Sequence, residues 1–309
     1  MASTTPRNTL IVVTGPTGSG KTGLSIKLAQ RLGCEIISAD SRQLFRDIPI
    51  GTAAPDAEQL SLVPHHFVGT LSLNDYYSAA RYEEEVMALL PRLWERSRYA
   101  ILCGGSMMYV DAVTNGIDEL PTISREVRET VSEMYETEGI EGLRSRLRLL
   151  DPEYLSGADP ANHRRLIHAI EICLEAGVPY SSLRSGATKK RDFDIIKFMI
   201  DYPREELFNR INRRVDAMIA SGLVDEARKV YPLRDLNSLN TVGYKELFAW
   251  FDGEMDEATA IARIGKNTRV YAKKQLTWLK RDPSVIRLNP DDAFNEAIES
   301  IKKHASTTC

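Results

Sequence analysis

The sequence predicts an α/β protein with a parallel-sheet core that opens on a phosphate-binding loop and is interrupted by a mostly helical insertion. Three observations carry this. An apolar run, TLIVVT (residues 9–14), leads straight into GPTGSGKT (15–22). A second short apolar run, CEIISAD (34–40), completes a strand–loop–helix–strand unit. From about 120 to 185 the pattern is charged and helical, before DIIKFMIDYP (194–203) restores the signal of a core strand.

Taken in order, Thr9–Thr14 reads as a buried strand because it is rich in β-branched residues and stopped by Gly15 and Pro16. The spacing predicts a helix from near Gly20 through GLSIKLAQRLG, ending at Gly33. The next strand ends at Asp40, residues 75–97 are helical, and YAILCGG (99–105) is a buried strand running into a glycine turn. REVRETVSEMYETEG and HRRLIHAIEICLEAG give the insertion its helical character. After the returning strand, helices are expected over ELFNRINRRVDAMIASGLVDEARKV, KELFAWFDG and DEATAIARIGKNTRVYAKKQLTWLKR, then a last strand at VIRLNP and a short closing helix. The core is thus placed at 1–119 and 199–309, and the insertion at 120–198.

At 309 residues the chain can bury a sizeable core, and 43% hydrophobic with 27% charged residues is ordinary for a soluble globular protein. The net charge of -3 gives no argument for nucleic acid, although a chain average can hide a basic face. Cys34, Cys103, Cys173 and Cys309 lie far apart without a CxxC pair, which argues against disulfide stapling or a thiolate zinc site and for a reducing, cytoplasmic setting. LIVVT is too short to cross a bilayer and no basic region precedes it, so no membrane partner is expected. Nothing demands a partner subunit, and a monomer is the default.

Gly15, Pro16, Thr17, Gly18, Ser19, Gly20, Lys21 and Thr22 fit GxxxxGK(S/T). Glycines let successive N–H groups converge on phosphate oxygens, and the following helix adds its positive end. Lys21 supplies a mobile charge and the Thr22 hydroxyl can ligate Mg²⁺. The segment fails the GxGxxG dinucleotide pattern. A kinase at the same loop needs an acid at the end of a nearby strand, and YAILCGG supplies none. Asp40 does stand at a strand end, suited either to chemistry or to capping and ordering a loop. Ser106, in GGSMMY, is read equally as a hydroxyl donor or as an N-cap. His65 and His66 lack metal-ligand spacing and are assigned a structural or hydrogen-bonding role.

Arg263, Lys266, Arg269, Lys273, Lys274, Lys280 and Arg281 form a basic run without an acid between its ends, with Tyr271 and Trp278 interleaved. It is either a solvated helix face or a patch for a polyanion. A second cluster joins His163, Arg164, Arg165 and His168; a third sets Arg210 and Arg214 four apart on one helix face. A guanidinium from the third can reach a diphosphate. Together with a phosphate loop, the three clusters tilt toward nucleic acid.

GPTGSGKT (15–22), ISADSRQLFRDIPIGTAAP (37–55), HH (65–66), GGSMMY (104–109), DPANHRRLIHAIE (159–171), RRVDAMIASGL (213–223), TVGYKEL (241–247) and TRVYAKKQLTWLKRD (268–282) resemble, block by block and in order, the bacterial tRNA dimethylallyltransferases, also called tRNA isopentenyltransferases. The resemblance implies a P-loop NTPase-like core and transfer of a dimethylallyl group from dimethylallyl diphosphate to N6 of adenosine 37 in tRNA, with Mg²⁺ assisting. It implies Asp40 as general base, Ser41, Arg42 and Gln43 lining the flipped adenosine, Ser106 as the site hydroxyl, and Arg214 assisting diphosphate departure. It further implies tRNA contacts at Arg128, at Asn162, His163, Arg164, Arg165 and Leu166, at Gly243, Tyr244 and Lys245, and at Arg269, Lys273 and Lys274, with the insertion gripping the anticodon stem-loop. The chain departs from the family in three places. Ser106 stands where threonine is usual, Met107-Met108-Tyr109 stands for Gly-Leu-Tyr, and Lys274 replaces an arginine, keeping the charge but not the bidentate fork. The zinc-finger extension of eukaryotic relatives is not expected. The competing readings are a small-molecule kinase using ATP at the loop and a nucleotide-gated RNA-binding module.

Overall fold

The protein is described by a computed structural model covering residues 7–118, 120–186 and 188–307. Thr9–Thr14 (β1) is buried at every position, which explains its uninterrupted apolar, β-branched sequence. Beyond the phosphate loop come Lys21–Leu32 (α1), Ile36–Ser38 (β2), the short helices Pro49–Thr52 (α2) and Ala57–Leu62 (α3), and His65–His66 (β3). Ala79–Trp94 (α4), Tyr99–Gly104 (β4) and Met107–Asn115 (α5) follow. The insertion holds Arg125–Leu150 (α6), Pro152–Gly157 (α7), His163–Ala176 (α8) and Tyr180–Leu183 (α9). The chain returns through Asp194–Ile200 (β5), Arg204–Ala220 (α10), Leu223–Val230 (α11), Tyr244–Phe251 (α12), Glu257–Leu279 (α13), Val285–Leu288 (β6) and Ala293–Thr307 (α14).

All six strands pair in parallel, in the order β3-β2-β4-β1-β5-β6. Alternation along β1 divides the core. Ile11 and Val13 pack with Leu24 and Leu28 of α1 and Ala297 and Ile301 of α14. Leu10 and Val12 pack with Val86 and Leu90 of α4 and Val110 and Val113 of α5. The sheet is therefore covered on both faces, and the ligand-competent edge is the carboxyl edge where strand order reverses. Thr14 stands opposite Gly104 on one side and Met199 on the other, while Ser38 stands opposite Cys103. The loops after β1, β2 and β4 consequently begin side by side.

Residues 116–189 form a separate compact unit. Val131, Leu143 and Leu147 of α6 bury against Leu166, Ala169 and Ile170 of α8. Gly139 has φ 64 inside α6, which is thus two helices joined at a kink. The expected boundary at 198 is corrected. β5 starts at Asp194 and pairs with β1 from its first residue, so the insertion closes by 189 and the strand belongs to the core. The stretch 49–66, which carries no periodic signal of its own, holds α2, α3 and the edge strand β3. Both histidines lie on that edge. His65 Nδ1 is 2.8 Å from the Val63 carbonyl and His66 Nε2 is 2.7 Å from Glu35, the hydrogen-bonding role expected of them. Among the described residues, no helix is long and apolar enough to cross a membrane.

One buried carboxylate fixes the loop that follows β2. Glu226 of α11 accepts from Ile50 N (2.9 Å), Gly51 N (2.8 Å) and the Tyr244 hydroxyl (2.5 Å). Gly51 has no alternative, because a Cβ there would overlap the Tyr244 ring. Replacing Glu226 with Ala strands three buried donors and is expected to cost roughly 2–4 kcal/mol; Tyr244→Phe, which removes one donor, is expected to cost about 1.5 kcal/mol. Denaturant midpoints of the two variants against the parent protein measure both.

Candidate active site

The loop leaving β1 curls because its glycines take backbone angles closed to other residues. Gly18 sits at φ 81 with Ile211 of α10 only 3.0 Å from where a Cβ would stand, so no other residue fits without moving that helix. Lys21 folds back over the loop and donates from Nζ to the Pro16 carbonyl at 2.9 Å. The Ser19 hydroxyl is buried without a partner. α1 begins at Lys21, so its positive end lies at the loop, and Thr22 stands in its first turn.

Opposite stands Asp40, two residues beyond β2. Its Oδ1 accepts from Arg42 N (2.9 Å) and Gln43 N (3.4 Å), so the carboxylate orders the turn. Of the two sequence readings, loop ordering is therefore real, and it holds the charge at the sheet edge where chemistry is possible. Ser106 locks this turn to β4: its Oγ accepts from Ser41 N (2.9 Å) and donates to Ser41 Oγ (3.2 Å), while Ser106 N donates to the Ala39 carbonyl. The paired glycines before it are compelled by close approach, since a Cβ on Gly104 would enter the Ala39 backbone and one on Gly105 would strike the Gln275 amide.

Cations converge on this carboxylate. Burial, with Arg214 adding to it and Cys103 and Asp40 opposing, lowers the Lys21 ammonium to about 8. Burial also lowers Arg214 and Arg42, and in both the Asp40 charge pulls the other way. Arg210 donates from Nε to the Gly18 carbonyl at 3.0 Å and lies over the Tyr202 ring, 4.5 Å from its centroid. Of the pair read as sharing one face of a helix, Arg210 thus bonds the loop directly, and Arg214 is close enough to Lys21 and Asp40 for their charges to act on one another. Arg42 donates to the Asn237 and Ser238 carbonyls, both at 2.9 Å.

An aromatic wall flanks the same edge. Tyr82 stacks on Tyr109, ring centroids 4.4 Å apart, with Phe67 edge-on to Tyr82 at 5.2 Å and Tyr77 tilted against Tyr109 at 6.5 Å. Burial, with Asp40 adding to it, raises the Tyr109 and Tyr271 phenols to about 12 and Tyr82 further. Met108 is 67% exposed, so the Met107-Met108 departure leaves the inner packing of Tyr109 and Val110 intact.

Sequence reasoning missed Gln275. It is 3% exposed on α13, accepts from Thr17 N at 2.9 Å and donates to the Gly105 carbonyl at 2.8 Å. Its signal was diluted by the seven basic residues around it. Two expected tRNA contacts are corrected. Leu166 and Tyr244 are completely buried in separate cores and cannot touch RNA from there. Gly243 caps α12 at φ 103, its N–H donating to Glu246, and Lys245 beside it is exposed. Gln43 turns its amide inward, accepting from Ser38 and donating to Thr52 and Ala53. On the insertion, Asn162 caps α8, His163 stacks on Tyr135 at 5.1 Å, Arg164 and Arg165 are exposed, and Arg128 faces His168 and Glu171. On α13, Arg263, Lys266, Lys273 and Lys274 are exposed, Arg269 bonds Asn212, and Lys273 lies over the Phe208 ring.

A divalent cation here would depend on the phosphate loop. Among the described residues no three His, Cys, Asp or Glu side chains are grouped to hold a metal ion. The Thr22 hydroxyl and a bound diphosphate would share the ion with water, the coordination that suits Mg²⁺.

A family model described as IPP transferase matches residues 43–282. A tRNA dimethylallyltransferase 1 of Phocaeicola vulgatus is 54% identical over 284 residues, 92% of this chain and 95% of that one. Among solved structures, a full-length tRNA isopentenylpyrophosphate transferase from Bacillus halodurans superimposes with TM-score 0.69 at 34% identity, over 98% of this chain and 97% of that one. A eukaryotic dimethylallyltransferase acting on tRNA gives TM-score 0.77 at 26% identity, over 92% of this chain and 74% of that one.

The Lys21 titration is open to measurement. With its amine lowered to about 8, the ammonium is present below that pH and lost above it. Inorganic diphosphate should therefore bind more weakly to the parent protein than to Lys21→Arg as pH rises from 7 to 9.5, and binding above pH 8 should take up a proton. Calorimetry in buffers of different ionisation enthalpy reads both.

Proposed function

The chain belongs to the IPP transferase family, and from that membership we propose that its phosphate loop holds an allylic diphosphate while Asp40 faces the amine that displaces it. The enzyme transfers a dimethylallyl group to adenosine 37 of tRNA. In balance, the N6 lone pair forms a bond to C1 of dimethylallyl diphosphate, the C1–O bond breaks with its electron pair leaving on diphosphate, and the N6 proton passes to the Asp40 carboxylate.

Each part of the site suits one demand of this reaction. The exocyclic amine is a poor nucleophile because its lone pair is delocalised into the ring. C1 must therefore gain positive charge before the new bond is complete. Loop N–H groups, Lys21 and Arg214 stabilise the departing diphosphate. The Thr22 hydroxyl would hold Mg²⁺, which would supply neutralising charge to the diphosphate. Asp40 serves as hydrogen-bond acceptor and then base. Ser106 acts on Ser41 and so on the turn bearing Asp40, a positioning role. Arg164, Arg165 and the exposed basic face of α13 are the proposed RNA contacts, with phosphates as their targets.

The observation that carries this reading is the placement of Asp40 and the loop on one sheet edge, with Lys21 and Arg214 both feeling the Asp40 charge. A kinase is disfavoured because β4 ends in Cys103 and Gly104, where the Ala39 backbone leaves no room for an acid. Labelled dimethylallyl diphosphate supplied with tRNA, beside an assay for ATP consumption, separates the two; label entering tRNA without ATP loss is expected.

Asp40→Ala should lower the single-turnover rate by about 10²–10⁴ with modest change in tRNA affinity; an unchanged rate removes Asp40 as the base. Replacing Arg164 and Arg165 together with alanine should raise the apparent constant for tRNA more than that for the donor. Equal effects on both would remove the insertion as an RNA grip.

A further inference from the structure

We propose that Gln275 is a positioning residue that sets the separation of the donor loop from the acceptor turn, an inference that rests on the transferase reading. Its two hydrogen bonds reach segments far apart in sequence. Oε1 takes the N–H of Thr17 in the phosphate loop and Nε2 gives a proton to the Gly105 carbonyl. Beyond Gly105 the connection continues through covalent chain and one hydrogen bond. Ser106 follows Gly105 directly, its Oγ holds Ser41 N, and Ser41 follows Asp40. One buried amide therefore links the element that holds a diphosphate to the one that holds the base.

The site is built around this amide. Gly105 lacks a Cβ where one would overlap Gln275 Nε2. No charged side chain replaces it, although α13 is otherwise strongly basic and its outer surface carries Lys273 and Lys274. A cation there would have no acceptor for itself and would leave Thr17 N without one. A carboxylate would face the Gly105 carbonyl with no proton to offer. Glutamine alone combines one acceptor and one donor at that length. In-line displacement is sensitive to such spacing, a 1 Å error costing on the order of 10² in rate. The same helix exposes basic residues outward, so the rigid body that meets RNA is also the one that sets the loop.

The test uses the full-length protein with tRNA and labelled dimethylallyl diphosphate. Gln275→Met keeps the shape and removes both bonds. The single-turnover rate is expected to fall about 10²-fold, with the affinities for inorganic diphosphate and for tRNA each within about threefold of the parent. Gln275→Glu, which retains only the Thr17 acceptor, should not restore the rate. A parental rate in Gln275→Met would overturn the inference. So would a rate loss matched by parallel losses of both affinities and of thermal stability, which marks a scaffold residue. Should Gln275→Met fail to fold, Gly105→Ala attacks the same bond from the other side and is judged by the same criteria. Absence of transfer by the parent protein would instead sink the transferase reading, before any variant is compared.

Discussion

The parallel pairing of β1 with β4, and of β4 with β2, is the constraint from which the site follows. Thr14 opposite Gly104 and Ser38 opposite Cys103 bring three strand ends to one level. From that level a glycine loop, a carboxylate turn and a glycine turn depart together. Parallel strands leave all their carboxyl ends on one edge, and the backbone there has unpaired groups to offer. The close approach of Gly104 to Ala39 shows how tightly the acceptor turn is set against β4.

On this frame the charges are arranged as a conflict that a ligand resolves. Lys21, Arg42 and Arg214 are all desolvated, and one carboxylate, Asp40, opposes that cost in each. Buried cations in excess of buried anions favour a polyanion. The unpartnered Ser19 hydroxyl points to the same need.

The departures from the family pattern fall where the structure tolerates them. Ser106 keeps the oxygen that bonds Ser41, and the missing methyl is no part of that contact. Met108 projects to solvent, while the next residue, Tyr109, keeps its stack on Tyr82. Lys274 retains a charge on an exposed helix face, where phosphate attraction needs charge more than a planar fork.

Local physics made much of this legible in the sequence. The β-branched run before Gly15, the loop glycines and the basic run without acids each depend on neighbours within one element, so the sequence determined a phosphate loop at a strand end, an α/β core, a helical insertion and a basic helix. It could not determine which way long-range partners turn. Tyr244 lies in a motif that reads as an RNA contact, yet its ring fills the space beside Gly51; Leu166 sits among basic residues, yet faces its own core. Gln275 is the reverse case, a neutral residue inside a charged stretch whose bonds reach Thr17 and Gly105. Only tertiary structure decided these three, because burial and hydrogen-bond partnership depend on other elements, α6 for Leu166 and segments far along the chain for Tyr244 and Gln275, and no periodicity along the chain encodes them.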